Sequence, residues 1–275
     1  MTRFSPDGST KLFSTYLGGE GNDSVFRLVL DADANIYLAG STISTNFPTR
    51  NAISATNHGS ADVFVTKLDS SGTNILYSTY LGGTSVEEGW GITVDAMGSA
   101  YVVGETFSTN FFMANAFQAT NSGGADAFLL KLSPIGTAIE SSTLIGGSGA
   151  DYGYSVGLDG DGNAYVVGQT GSADFPIVPS TNGFQNAFGG GTEDGFIARI
   201  FLGSAVLRVE RGTVNDVAIL WPKALLSFEL QSTDLLMETN NWISVTDNPI
   251  VSGNDNSITF SNTAAQRIFR LRRNP

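Results

Sequence analysis

A period of 64 residues runs through residues 1–201 and constrains the fold more than any single motif. Tyr16-Leu17-Gly18-Gly19 returns as Tyr80-Leu81-Gly82-Gly83 and as Leu144-Ile145-Gly146-Gly147, 64 positions on each time. Ile36-Tyr37-Leu38-Ala39-Gly40 returns as Ala100-Tyr101-Val102-Val103-Gly104 and as Ala164-Tyr165-Val166-Val167-Gly168. Ala61-Asp62-Val63-Phe64 returns after 64 positions as Ala125-Asp126-Ala127-Phe128, then after 68 as Glu193-Asp194-Gly195-Phe196. The difference places a four-residue insertion in the last copy, near Pro179 to Gly190. Repeats of this size are single supersecondary units that bury their apolar faces only by stacking on neighbours.

One copy reads entirely as strands. Asp62 to Leu68 alternates apolar and polar residues, Asp69-Ser70-Ser71-Gly72-Thr73 is turn chemistry, and Ile75 to Leu81 is a second strand closed by Gly82-Gly83. Trp90 to Asp95 and Ala100 to Thr106 follow as a third and a fourth, and Phe107 to Gly124 bridges to the next copy. Four such strands fit one blade of a β-propeller. One strand before the first Gly-Gly, four in each of two spans and three in the last predict three blades of four. Propellers ordinarily close with about four to eight blades, so three make a partial ring.

The opening residues sharpen this point. Met1 to Gly8 aligns with Val65 to Gly72, so Met1 falls where other copies hold a strand interior. The expectation is a C-terminal piece of a longer repeat protein, or a homodimer in which two chains complete a six-bladed ring.

Phe13 to Gly19, Asp95 through Val103-Gly104, Phe175-Pro176, and Asp126-Ala127-Phe128 with Lys131-Leu132 resemble the bacterial SBBP family of β-propeller repeats over residues 1–201. The resemblance implies a propeller fold in an exported or surface-displayed protein, and it implies no catalytic residues. The sequence departs from the pattern at Phe112, where other copies have Pro48 and Pro176, and at Ser141-Ser142-Thr143-Leu144, where the middle copy has Tyr77-Ser78-Thr79-Tyr80. Residues 206–275 form a second domain. Val217–Pro222, Phe228–Thr233, Trp242–Val245, Asn256–Phe260 and Arg267–Arg272 alternate as five strands, with a sixth over Val206–Val209, which predicts a small β-sandwich. Its Leu230-Gln231-Ser232-Thr233 stretch, Trp242 and final Phe269-Arg270-Leu271-Arg272 are similar to a C-terminal module of exported bacterial proteins.

Composition excludes several function classes. Residues 1–201 carry 7 Lys and Arg against 19 Asp and Glu, while the remainder carries 7 of each. So acidic a repeat region disfavours nucleic acid and anionic lipid. No run of about 18 apolar residues predicts a transmembrane segment. Absence of Cys removes disulfides and thiol nucleophiles.

Candidate chemistry is sparse. The single histidine, His58, lies in a polar bridge between strands and reads as an exposed loop residue. Asp31, Asp33 and Asn35, and again Asp159, Asp161 and Asn163, space oxygen ligands as calcium loops do. The bidentate Glu that closes an EF-hand loop is missing, because position 170 is Thr, and the middle copy keeps only Asp95. Tight hairpin turns explain the same residues, with calcium as the alternative. Asp23, Glu87 and Asp151, and Asp62, Asp126 and Asp194, recur in every copy, which points to a structural task. Glu87-Glu88 with Trp90 is the most distinctive local feature, since other copies have one acid there. Trp90 aligns with Phe26 and Tyr154, so the blade asks for an aromatic at that place. Glu87, Glu88 and Trp90 are therefore the candidate ligand-binding residues.

The expected protein is all-β: a partial propeller and a small sandwich, extracellular or at the cell surface. Its expected role is a non-catalytic scaffold presenting loops such as Phe107–Gly124 and Pro176–Gly191 to glycans or proteins. The alternatives are a polysaccharide-acting enzyme with carboxylates at the propeller axis and an inactive fragment of a longer protein.

Overall fold

A computed structural model of the chain describes residues 2–160, 162–177, 184–202, 208–211, 216–222, 228–233, 243–246, 248–252, 255–261 and 268–273. The described residues contain strands and turns and no helix, hence no helix long and apolar enough to cross a membrane. Two compact units make up the chain: Met1–Asp159 with Ala164–Leu202, and Gly160–Asn163 with Gly203–Pro275.

The repeats fold as β1 (Thr2–Phe4), β2 (Lys11–Ser14), β3 (Asp23–Leu30), β4 (Ile36–Thr42), β5 (Asp62–Leu68), β6 (Ile75–Leu81) and β7 (Glu87–Val94). There follow β8 (Ala100–Thr106), β9 (Asp126–Leu132), β10 (Ile139–Ile145), β11 (Asp151–Leu158), β12 (Asn163–Thr170) and β13 (Asp194–Phe201). They form a β1-β2 pair, two four-stranded antiparallel sheets, β3-β4-β5-β6 and β7-β8-β9-β10, and a three-stranded sheet, β11-β12-β13. These are propeller blades, with β3, β7 and β11 lying side by side as the inner strands.

The blade boundary differs from the one read in the sequence. A blade does not start at Asp62; the break falls between β6 and β7, at Gly82-Gly83. The long stretch Phe107–Gly124 joins two paired strands of one sheet instead of bridging two blades. It folds back along the outermost strand, where Ala114 bridges Ser142, as Arg50 bridges Ser78 one repeat earlier. Loop length misleads here because antiparallel neighbours tolerate long connections.

In the two four-stranded blades the strands β4 and β8 are buried on both faces, so they open as apolar runs, Ile36 to Ala39 and Ala100 to Val103. Tyr37, Ala39, Val63 and Val65 of one blade face Val102, Phe128, Leu130 and Leu144 of the next. The pattern repeats one blade on, where Tyr101, Val103, Ala127 and Leu129 meet Val156, Val166 and Phe196. The outer face of the first full blade (Ile36, Leu38, Phe64, Tyr80) is covered by Phe47 and, from the chain's start, by Phe13 and Leu17.

The second unit contains β14 (Arg208–Arg211), β15 (Asp216–Pro222), β16 (Phe228–Thr233), β17 (Ile243–Ser244), β18 (Ile250–Ser252), β19 (Asp255–Ser261) and β20 (Ile268–Arg273). They form two sheets, β14-β15-β19-β18 and β17-β16-β20. Phe260 on β19 and Phe269 on β20 bring these sheets together, with ring centroids 4.9 Å apart. Ile219, Trp221, Leu230 and Ile258 are buried. The strand expected over Val206–Val209 is described at Arg208–Arg211, and β18 is an addition the sequence did not signal. Trp242 and Arg267 lie outside the described residues.

Candidate functional site

The recurring carboxylates hold the Gly-Gly corners together. Gly83 N–H donates to Glu87 Oε2 at 2.8 Å, and Thr106 Oγ1 donates to Glu87 Oε1 at 2.7 Å. Asp151 accepts from Gly147 N at 2.8 Å and from Ser172 Oγ at 2.7 Å, and Asp23 accepts from Gly19 N at 2.7 Å. The second set serves the neighbouring loop: Asp62 accepts from His58 N at 3.0 Å, and Asp126 from Ser122 N at 3.1 Å and Gln118 Nε2 at 2.6 Å. Glu87, which the sequence grouped with Glu88 and Trp90, is thus buried and hydrogen-bonded to the loop and to Thr106.

At each full corner the two sets meet across the first glycine. A Cβ on Gly82 would stand 2.5 Å from Asp62 Oδ1 and 2.7 Å from Glu87 Oε2; on Gly146 it would stand 2.6 Å from Asp126 Oδ1 and 2.8 Å from Asp151 Oδ2. Buried carboxylates this near resist joint ionisation. Burial, with Asp151 adding to it, pushes the Asp126 carboxyl up to about 6, and burial with Glu87 also raises Asp62.

His58 is exposed, as expected, with Nδ1 3.6 Å from Asp62 Oδ2 and its ring edge-on to Phe112 at 6.0 Å. That contact gives Phe112, the departure from proline, a packing role.

At the first Asp-rich turn, Asp31 Oδ1 accepts from the backbone N–H groups of Asp33 (3.0 Å) and Asn35 (2.9 Å). Its Oδ2 accepts from Asn35 Nδ2 at 2.9 Å and Tyr37 OH at 3.2 Å, with Lys67 Nζ at 3.5 Å. Burial opposes ionisation of Asp31, but the Asn35 bonds and the Lys67 charge outweigh it and hold its carboxyl below the ordinary value. Residues 34, 98 and 162 take positive φ (60°, 85° and 81°), and the first two turns share one tight hairpin pattern in which Ala34 N–H and Gly98 N–H donate to the Asp31 and Asp95 carbonyls. Asp33 points into solvent. In the third turn Tyr165 OH donates to Asp159 at 3.3 Å, and Asp161 lies outside the described residues. Among the described residues no three His, Cys, Asp or Glu side chains converge as a metal site would require.

Glu88 and Trp90 both adjoin Glu105, in a cluster found in one repeat. The inner strands carry a bulge at the aligned aromatics Phe26, Trp90 and Tyr154. These rings link blade to blade: Phe26 and Trp90 stack at 4.2 Å and 16°, and Tyr154 meets Trp90 edge-on at 6.5 Å. Trp90 is therefore a half-buried bridge between blades. Tyr154 is exposed, and the half-buried Tyr152 lies parallel to it with planes 2° apart and centroids at 6.5 Å.

Against these rings stands Glu105, which the sequence analysis passed over. It is the cross-strand partner of Glu88, it is buried, and its Oε2 accepts from Trp90 Nε1 at 2.5 Å. Burial, reinforced by Glu88 alongside, pushes its carboxyl up to about 8. Burial and the charges of Glu105 and Glu193 raise the Tyr152 and Tyr154 hydroxyls as well. A signal for Glu105 existed. Its equivalents are Ser41 and Gln169, and those of Glu88 are Ser24 and Tyr152, so the cross-strand acid pair belongs to the middle blade alone. Ser41 Oγ donates to the next blade's Glu87 carbonyl, and Gln169 accepts from Tyr154 OH at 3.2 Å.

The model of the SBBP family, described as a beta-propeller repeat, matches residues 12–48 and 142–176. The matched segments end at Pro48 and Pro176, which are two periods of 64 apart, whereas the middle copy has Phe112 at that place. Both segments lie within the blades, and neither reaches the C-terminal unit. A comparison with curated proteins gave no match.

Proposed function

We propose that the chain is a non-catalytic binding scaffold, secreted or displayed at the cell surface, whose ligand is a carbohydrate held at the inner strands of the middle and last blades. One observation carries this reading: Glu88 and Glu105 pair in the middle blade only, with Trp90 on the same blade and the rings of Tyr152 and Tyr154 on the next. Repeated features serve the fold, whereas a polar group unique to one repeat is free to serve a ligand. Sugar rings stack on flat aromatic faces while carboxylates accept from their hydroxyls. The loop Phe107–Gly124, pinned along β10, is a less suitable ligand surface than these strands. Two chains closing one six-bladed ring would place the same cluster twice around a common axis.

The enzyme reading draws on one feature: burial raises the Glu105 carboxyl to about 8, the direction that suits a general acid. Against it, Glu105 is buried directly across the β7–β8 pair from Glu88, with Trp90 Nε1 donating to its Oε2. Glycosidase carboxyls flank the scissile bond at roughly 5–9.5 Å with the sugar between them, whereas Glu105 is buried and committed to Trp90. Calorimetric titration with a panel of soluble oligosaccharides tests the proposal. The expected outcome is saturable binding without turnover, weakened about tenfold by Tyr154→Ala. Hydrolysis of a panel member, lost in Glu88→Gln, would establish the enzyme instead. Binding untouched by Tyr154→Ala and Glu88→Gln would move the site elsewhere.

A further inference from the structure

The first and last blades each present a face that is buried wherever it recurs inside the array. On the last blade, Ile197 is 78% exposed, while its equivalent Leu129 is fully buried by the following blade. Tyr165 and Val167 are exposed in the same way, while Tyr101 and Val103 are covered. On the first full blade, Leu28 is 44% exposed, whereas Ile92 at that position retains 5%. Val25 and Leu30 are exposed beside it. These are the two opposite halves of one kind of junction.

Their side chains also match in size, in the reverse sense to the internal junctions. Between the first two blades, Val63 projects at Gly89, where a Cβ would come within 2.8 Å of Val63 Cγ1. Between the next two, Gly153 receives Val103 and Ala127, at 2.5 and 3.4 Å from the same construction. Each internal junction thus has its larger residue on the preceding blade and glycine on the inner strand of the following one. At the free ends the order inverts: the position equivalent to Val63 and Ala127 is Gly195, and the position equivalent to Gly89 and Gly153 is Val25. The space above Gly195 is open apart from Gly168 O at 3.9 Å. A blade stacking there must bring a side chain where the others bring none, and Val25 does so.

Strand inventory agrees. Among the described residues the last blade has inner strands and β13 but no fourth strand, and β1-β2 is a pair without inner strands. Between β2 and β3 lies a hollow lined by Tyr16, Leu17, Gly18, Gly19, Asn22 and Asp23. The inner strands of a preceding blade belong in that hollow, and β2 is the period equivalent of the fourth strands β6 and β10.

We infer that the occupant is a second copy of this chain: the Gly195 face of one copy seats the Val25 face of another. The hollow takes β11 and β12, and β2 becomes the fourth strand on β13 in place of its three-residue partner β1. Repeating the contact reciprocally closes a two-chain ring.

Sedimentation velocity across a concentration series, on the full chain, tests this inference. The wild type is expected to form a discrete dimer. Gly195→Val, which adds a side chain to an exposed strand position, is expected to weaken dimerisation about tenfold or more. Adding Val25→Gly to Gly195→Val recreates the size order of the internal junctions and is expected to restore the dimer. Unchanged circular dichroism and melting of the dilute variants would show that each still folds. A wild type that stays monomeric, or a dimer indifferent to Gly195→Val, overturns the inference. An open-ended series of larger species overturns the closed ring.

Discussion

Trp90 donates its indole N–H to Glu105 at 2.5 Å, and through that bond an interblade aromatic fixes the orientation of a buried acid. Neither residue's role is visible from its own strand. Trp90 sits at a bulge on β7, stacked on Phe26 from the preceding blade, while Glu105 comes from β8. The contact makes the middle blade chemically different from its neighbours while leaving the fold unchanged.

Replacing Glu105 by Gln should alter how stability depends on pH. The carboxyl titrates near 4.5 in an unfolded chain and near about 8 in the folded one, so between those values the folded chain holds more protons. Stability from this group is therefore complete below about 4.5 and is lost as pH rises through about 8. Glu105→Gln keeps an oxygen for Trp90 and removes the titration. Melting temperatures of wild type and variant should agree near pH 4 and diverge by pH 9, with the variant melting higher. Parallel curves over this range would show that Glu105 is ionised in the fold.

Much of the blade was legible because its constraints repeat. The recurrence of glycine at 40, 104 and 168 follows from crowding: a Cβ there would fall within 2.0 Å of a carbonyl on the adjacent inner strand. Gly18, Gly82 and Gly146 recur because carboxylates stand where their side chains would be. The blade boundary was less legible, since Gly82-Gly83 and the long Phe107–Gly124 loop both resemble punctuation and only pairing distinguishes them. Glu105 escaped notice because its partner Glu88 is seventeen positions away in sequence and faces it across a hairpin. Reading adjacent letters joined Glu88 to Glu87; the pleat separates them, and hydrogen bonding assigns Glu87 to the Gly83 corner.

The Asp126–Asp151 corner should gain stability when one charge is removed. Asp126 uses Oδ2 for Ser122 and Gln118, while its Oδ1 and Asp151 Oδ1 are buried without hydrogen bonds. Asp126→Asn retains an acceptor and places an N–H₂ group towards Asp151. At pH 8, above the raised Asp126 value, the variant should be more stable by about 1 kcal/mol in urea unfolding. Below the raised Asp126 value of about 6 the advantage should shrink, because the wild-type carboxyl then carries its own proton. A variant less stable than wild type at pH 8 would show that the ionised pair is an asset to the corner.

Two alanine substitutions at glycines should separate steric need from mere recurrence. At Gly146 the new Cβ would meet Asp126 Cγ and Oδ1 at 2.6 Å and Asp151 Oδ2 at 2.8 Å, and both acids are anchored by hydrogen bonds to their Oδ2 atoms. Neither can swing away without breaking a bond, so Gly146→Ala should cost about 2 kcal/mol. At Gly157, on β11, nothing stands within 4 Å of the Cβ position, and the backbone is not left-handed. There alanine removes freedom from the unfolded chain and should be neutral or stabilising by about 0.5 kcal/mol. Chemical denaturation of the two variants under one condition gives the comparison. Equal losses at both positions would mean that the Gly146 corner yields, and that the carboxylate pair does not explain the repeated Gly-Gly.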